Sequence, residues 1–270
     1  MTERDYVLGT HDEEIERLGL QHRVWLPRAR EAWSWAGFGA GQTLLDLGCG
    51  PGWATFDLAA IVGSHGRVIG IDRSRRFLDA ARSRAAREGV ENAAFVELDL
   101  DQEPLPATRV DGVWSRWVYA FVREPRALLE RAAGALRPGG VLVMHEYADY
   151  GAWRLSPERA EFAWFVEQVI ASWREHGGEP DIGTSLAGWL ATLGMEVVSL
   201  RSLSEAARPS DPMWRWSNAF VAVGLDRLVD LGRVDPARAD AVRRAFHDSQ
   251  GSPGAFLLTP TVLEVVARRQ

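Results

Sequence analysis

The chain has 270 residues, 46% of them hydrophobic, and a formal net charge of −6, enough to bury one large core or one large and one small domain. The acidic balance argues against a protein that gains affinity by neutralising nucleic-acid phosphates, which needs a basic face; Arg73, Arg75, Arg76, Arg82, Arg84 and Arg87 recur at helical spacing and read as a solvated helix face. The single Cys49 excludes an internal disulfide or a cysteine metal cluster, no apolar run approaches the roughly 20 residues that span a bilayer, and Met1 to Asp5 carry no apolar signal segment, so a cytoplasmic protein with a small-molecule partner, no nucleic acid and no membrane is expected.

Thr10-His11-Asp12-Glu13 is a capping-box pattern for a helix whose apolar positions Ile15, Leu18 and Val24 keep one face. Residues 1–40 are read as an N-terminal helical lid, with packing on the sheet edge as the alternative. Leu44 to Leu47 is a buried-strand run that breaks into Gly48-Cys49-Gly50-Pro51-Gly52 and a helix, Trp53 to Val62. Such a turn brings bare backbone and a helix N-terminus up to a small polar ligand. Short apolar runs then alternate with helical segments of about a dozen residues, the pattern of strand-helix-strand crossovers in a mostly parallel α/β sheet. Strands are expected at 67–72, 94–98, 110–115 and 141–144, the last preceded by a helix over 125–136 and the stop signal Arg137-Pro138-Gly139-Gly140. Residues 41–148 make up this core.

From Asp149 the alternation breaks. A long amphipathic helix over 157–175 belongs to a cap insertion, 149–180. The core resumes over 181–203 with a helix at 183–193 and a sixth strand at 195–200. Helices over 214–231 and 236–249 form a second cap, 204–253, and residues 254–270 are expected to hold a last strand, Ala255 to Leu258, and a C-terminal helix. Both insertions leave the carboxyl side of the sheet, where open α/β sheets bind ligands, and are expected to cover a substrate. Twelve tryptophans, among them Trp153, Trp164, Trp173, Trp189, Trp214 and Trp216, fit ordinary core packing and equally a pocket for a flat or cationic molecule.

The glycine run decides between two nucleotide-binding patterns. A dinucleotide fingerprint needs a third glycine at its sixth place; counted from Gly48 that place is Trp53. Asp46-x-Gly48-x-Gly50-x-Gly52 instead resembles the first motif of class I S-adenosylmethionine-dependent methyltransferases. With Asp72 after the second strand, Leu98-Asp99-Leu100 after the third and Ser115-Arg116-Trp117 after the fourth, four sites match in order over Leu44 to Tyr147. The chain is most similar to the bacterial ubiquinone and menaquinone biosynthesis methyltransferases.

That resemblance implies a three-layer α-β-α sandwich with a seven-stranded, mostly parallel sheet of order 3-2-1-4-5-7-6, its last strand antiparallel, plus helical cap insertions. It implies S-adenosylmethionine as cofactor and S-adenosylhomocysteine as product. Asp72 would accept from both ribose hydroxyls, with Arg73 beside it. Asp99 would accept from the adenine amine and a neighbouring backbone N–H, that of Leu100, would meet a ring nitrogen, with Asp101 as rival to Asp99. Ser115 would pass the methionine portion; Asp46 and the backbone at Gly48, Cys49 and Gly50 would lie along its ammonium end. Gln21 and Arg17 on the lid would close over its carboxylate. Cys49 is a small filler in the turn rather than a nucleophile.

Methyl transfer from such a donor is an in-line displacement in which positioning matters most and a base is optional. The sequence offers Glu146 first, and His145, at the end of the fifth strand for that work, and Trp117, Tyr147 and Tyr150 for the substrate. No carboxylate set typical of magnesium-dependent catechol methyltransferases is present, so no metal is expected. The expected function is methyl transfer to an O, N or C atom of a small aromatic or apolar metabolite. The alternatives are a non-catalytic binding or regulatory protein of the same fold and a nucleotide-dependent oxidoreductase.

Overall fold

A computed structural model describes residues 12–270, so Thr10 and His11 of the capping-box pattern lie outside the described residues. In chain order the elements are α1 (Asp12–Trp35), β1 (Thr43–Leu47), α2 (Trp53–Val62), β2 (Arg67–Asp72), α3 (Arg75–Glu88), β3 (Ala93–Glu97), β4 (Val110–Arg116), α4 (Pro125–Ala135) and β5 (Leu136–Asp149). The second half adds β6 (Arg154–Ser156), α5 (Ala160–Glu175), α6 (Gly183–Thr192), β7 (Met195–Leu203), β8 (Ala206–Ala207), α7 (Pro212–Asp230), α8 (Pro236–Ser249), β9 (Phe256–Leu258) and β10 (Thr261–Arg269).

The main sheet has the order β3-β2-β1-β4-β5-β10-β7. β10 runs antiparallel to both neighbours and the pairs from β3 to β5 are parallel. Counting only the strands of this sheet, the order is 3-2-1-4-5-7-6. Strand residues alternate between its faces. Leu44, Val68, Trp114 and Val143 pack with α1 and α2, whereas Leu45, Ile69, Val113 and Leu142 pack with α4 and α6. Both faces are therefore covered, and the strands read as nearly continuous apolar runs. A separate aromatic core, built on Trp153, Phe162, Phe165, Trp214, Phe220 and Phe246, joins α5, α7 and α8 above the carboxyl ends of the strands.

Three expectations are corrected. The C-terminal helix is β10. Thr261-Val-Leu-Glu-Val-Val-Ala carries three valines, and Val262, Val265, Val266 and Ala267 are buried, which suits a strand with neighbours on both edges. The expected last strand over 255–258 is β9, the centre of a small sheet β6-β9-β8 in the cap. On α1 the buried stripe is Glu14, Arg17, His22, Trp25, Ala29, Ala32 and Trp33, while Ile15, Leu18 and Val24 are half-buried. The carboxyl half of this helix packs on the sheet, but its first turns cross the strand ends, where hydrogen-bonded polar side chains are buried.

Candidate cofactor cleft and active site

The turns after β1, β2, β3 and β4 open into one cleft, closed by the first turns of α1 and by Trp173 and Phe220 of the cap. Gly48 has φ +65° and Gly50 φ +54°, a region that favours glycine. A Cβ on Gly48 would stand 2.5 Å from Val118 Cγ2, whereas at Gly50 the nearest atom would be Leu18 Cδ1 at 3.8 Å. Gly48 therefore lets the turn pack tightly, and Gly50 presents bare backbone in the cleft wall.

Two buried carboxylates stand on this turn. Asp72 ends β2; its Oδ2 accepts from the Gly50 N–H at 2.9 Å and its Oδ1 from the Ser74 N–H at 2.8 Å. The Arg73 N–H bonds to the same carboxylate, and burial raises the pKa of the group. Asp46 accepts from the Thr55 hydroxyl at 2.5 Å, and burial pushes its pKa up to about 7. Cys49 is buried in the same turn, its thiol driven well above its ordinary pKa by burial. After β3, Asp99 closes an Asx turn, Oδ1 accepting from the Asp101 N–H at 2.9 Å. Asp101 accepts from the Arg123 N–H at 2.7 Å and so ties the loop before α4 to this turn. Asp99, Leu100, Asp101 and the exposed Arg73 all line the cleft.

From α1, Arg17 and Gln21 reach the cleft, but Arg17 is engaged bidentately with Glu14 at 2.7 Å and also donates to Gln21 Oε1 at 3.1 Å. Gln21 Oε1 accepts in addition from Trp216 Nε1 at 3.1 Å. Trp117 and Tyr147 line the cleft as expected. Trp117 is the centre of a stack, with Tyr147 at 5.1 Å and Trp216 at 5.8 Å, both 11° from parallel.

Four residues expected at the site do not line the cleft. β5 continues five residues beyond Met144 and pairs with β10, Glu264 opposite His145 and Leu263 opposite Glu146. His145 and Glu146 therefore sit inside the sheet, fully buried, rather than at its rim. His145 Nε2 is 3.0 Å from Glu264 Oε2, and Glu264 Oε1 accepts from the half-buried Arg201, a polar row across three strands. Glu146 Oε1 accepts from the Val118 and Tyr119 N–H groups at 2.7 and 3.0 Å. It holds the turn in which Trp117 has φ +53°, a conformation costing about 1–2 kcal/mol for a side chain of this size. Glu146 thus braces this turn from behind and does not line the cleft. Ser115 pairs in register with Leu47, whose side chain faces α4 and α6, so strand alternation turns its hydroxyl away from the cleft. Tyr150 lies behind the wall, packed on Tyr147 and Trp173 at 4.9 Å each.

The same alternation puts Arg116 in the cleft, a residue to which sequence reasoning assigned no role. Its partner His22 on α1 was missed as well. Two-residue periodicity counted from Asp46 across to β4 is the signal that finds Arg116; nothing local marks His22.

Burial raises the Glu146 pKa to about 7 from 4.5. A carboxyl group so shifted binds its proton more tightly in the folded state, so its contribution favours folding most below about pH 4.5 and declines as pH rises through about 7. Asp46 acts in the same direction. Replacing Glu146 by Gln, isosteric and neutral, is expected to flatten the fall in melting temperature between pH 5 and 7.5; an unchanged slope would show that Glu146 is already ionised throughout.

Among the described residues no group of three or more His, Cys, Asp or Glu side chains is placed to hold a metal ion, and no helix is long and apolar enough to cross a membrane.

A family model described as a methyltransferase domain matches residues 39–178. An uncharacterized methyltransferase of Schizosaccharomyces pombe is 30% identical over 236 residues, covering 80% of this chain and 81% of the relative. A 2-phytyl-1,4-naphtoquinone methyltransferase of Trichormus variabilis is 33% identical over 172 residues, 62% of this chain and 71% of the relative. The chain spans 30% and 46% of the length of two other relatives, both from Streptomyces. In fold it is similar to the geranyl diphosphate C-methyltransferase of Streptomyces coelicolor A3(2), solved with S-adenosyl-L-homocysteine, at a TM-score of 0.58 and 18% identity, over 92% of this chain and 77% of that one.

Proposed function

The chain belongs to the class I S-adenosylmethionine-dependent methyltransferases, and from that premise we propose that it methylates an O, N or C atom of a small aromatic or otherwise apolar molecule beneath the helical cap. The observation that carries this reading is the division of the cleft. Its acids, Asp46, Asp72, Asp99 and Asp101, all stand at the carboxyl ends of β1 and β2 or in the turn after β3, while the aromatic side chains Trp117, Phe121, Tyr147, Trp173 and Phe220 line the rest. The first group suits a polar nucleoside with a cationic tail, the second a flat apolar acceptor.

The donor set fits the cofactor. Asp72 would hold the ribose, Asp99 and the Leu100 backbone the adenine, and Asp46 the ammonium group. When bound, S-adenosylmethionine supplies a methyl carbon already activated by a positive sulfur. What the chain supplies is alignment and exclusion of water, worth about 7–11 kcal/mol when geometry is good. Tyr147 is the hydroxyl of the aromatic wall, and burial keeps its pKa well above the ordinary value, so it stays a neutral phenol.

Calorimetry should show S-adenosylhomocysteine binding and no NADH binding. Transfer of labelled methyl to a panel of phenols, quinols, enols and amines tests turnover. Binding without transfer to any class would favour a non-catalytic role for the same pocket.

A further inference from the structure

We propose that Arg116 is the carboxylate-binding group of this cleft, aimed by His22 and paired with Asp46 to receive an α-amino-acid zwitterion. The inference rests on the cofactor reading above. Arg17, the obvious cation of the lid, is already engaged by Glu14 and Gln21. Arg116 differs: its Nη1 is buried without a hydrogen-bond partner among the described residues, although the side chain lines the cleft. A guanidinium nitrogen left so costs free energy unless a ligand anion completes it.

The rest of Arg116 is fixed. Its Nη2 lies 3.2 Å from His22 Nδ1, and because a guanidinium only donates, His22 Nδ1 must accept. His22 Nε2–H then donates to Asp57 Oδ2 at 2.7 Å, and Arg30 holds the other oxygen of Asp57 at 2.8 Å. This chain of bonds leaves His22 neutral, in agreement with burial lowering its pKa. The centre of the Trp117 indole lies 5.4 Å from the guanidinium carbon. Arg116 and Asp46 interact electrostatically and alternate on the same face of neighbouring strands. A cation and an anion side by side match the carboxylate and ammonium of one amino acid.

A carboxylate at this place has two sources, the amino-acid tail of the cofactor or an acid group on the acceptor. Calorimetry with S-adenosylhomocysteine and with 5′-methylthioadenosine, which lacks the amino-acid part, separates them. For Arg116→Gln, S-adenosylhomocysteine is expected to bind at least about tenfold more weakly, with methylthioadenosine within twofold of wild type, which also reports an intact cleft. If both nucleosides are unchanged while benzoate, but not benzamide, binds the loaded protein about tenfold more weakly, the carboxylate is the acceptor's and the zwitterion assignment is overturned. Equal loss of both nucleosides, or no selective loss for any of the four ligands, overturns the proposal. Should Arg116→Gln fail to fold, His22→Ala decides. It keeps the charge but not its aim, so a severalfold loss confined to the carboxylate ligand is expected, with partial rescue in His22→Gln; no loss overturns the proposal. Wild-type protein that binds neither nucleoside refutes the cofactor reading itself, a distinct result.

Discussion

Glu146→Ala is expected to lower the free energy of unfolding by about 3–5 kcal/mol, measured by urea denaturation. The carboxylate is wholly inside the protein, and its removal orphans the N–H groups of Val118 and Tyr119, at about 1–3 kcal/mol each. It also releases the left-handed turn at Trp117, whose strain those bonds hold. Because Trp117 is the middle ring of the stack with Tyr147 and Trp216, near-ultraviolet circular dichroism should change with it. S-adenosylhomocysteine should bind more weakly, since the same turn carries the Val118 side chain against Gly48. Glu146→Gln retains an oxygen for both N–H groups and is expected to lose much less. A loss below about 1 kcal/mol in Glu146→Ala would mean that the aromatic stack alone maintains the turn.

Asp72→Ala is expected to weaken S-adenosylhomocysteine binding about 100-fold, near 3 kcal/mol, the sum of two charge-assisted hydrogen bonds to a diol. The side chain does two things at once. It ties Gly50 and Ser74 together at 2.9 and 2.8 Å, and it lines the cleft. Asp72→Asn separates these roles: its single carbonyl oxygen can replace one accepting atom, so an intermediate affinity is expected. Calorimetry at fixed pH, with thermal melting as a control for the fold, reads both. Affinity within threefold of wild type in Asp72→Ala would remove this carboxylate from ribose binding.

Legibility differed by element for physical reasons. The parallel half, from β1 to β5, is strongly apolar and punctuated by glycine and proline, so periodicity located each strand to within a few residues, apart from the carboxyl end of β5. That end was missed because His145-Glu146-Tyr147 reads as the edge of a core, whereas pairing with β10 draws it into the sheet interior. The β10 segment is compatible with a helix in sequence because a run of nine residues with apolar groups in clusters suits either period. Its neighbours, not its propensity, settle the matter. On α1 the hydrophobic pattern pointed to Ile15, Leu18 and Val24, while the helix buries Glu14, Arg17 and His22 as bonded polar groups.

What the sequence determined by itself is the part written in local chemistry: the glycine turn, the acids that close β1 and β2, and the alternation of strand and helix that makes an α/β layer structure. These depend on residues within one turn or one strand of each other. Only the tertiary structure decided which polar side chains face the cleft. It turned Ser115 away and Arg116 inward, set Glu146 behind the Trp117 turn, and brought His22 from a helix 94 residues away to aim the guanidinium. Such choices arise from strand register and from packing between distant segments, because a buried polar group is stable only where another part of the chain meets its hydrogen bonds.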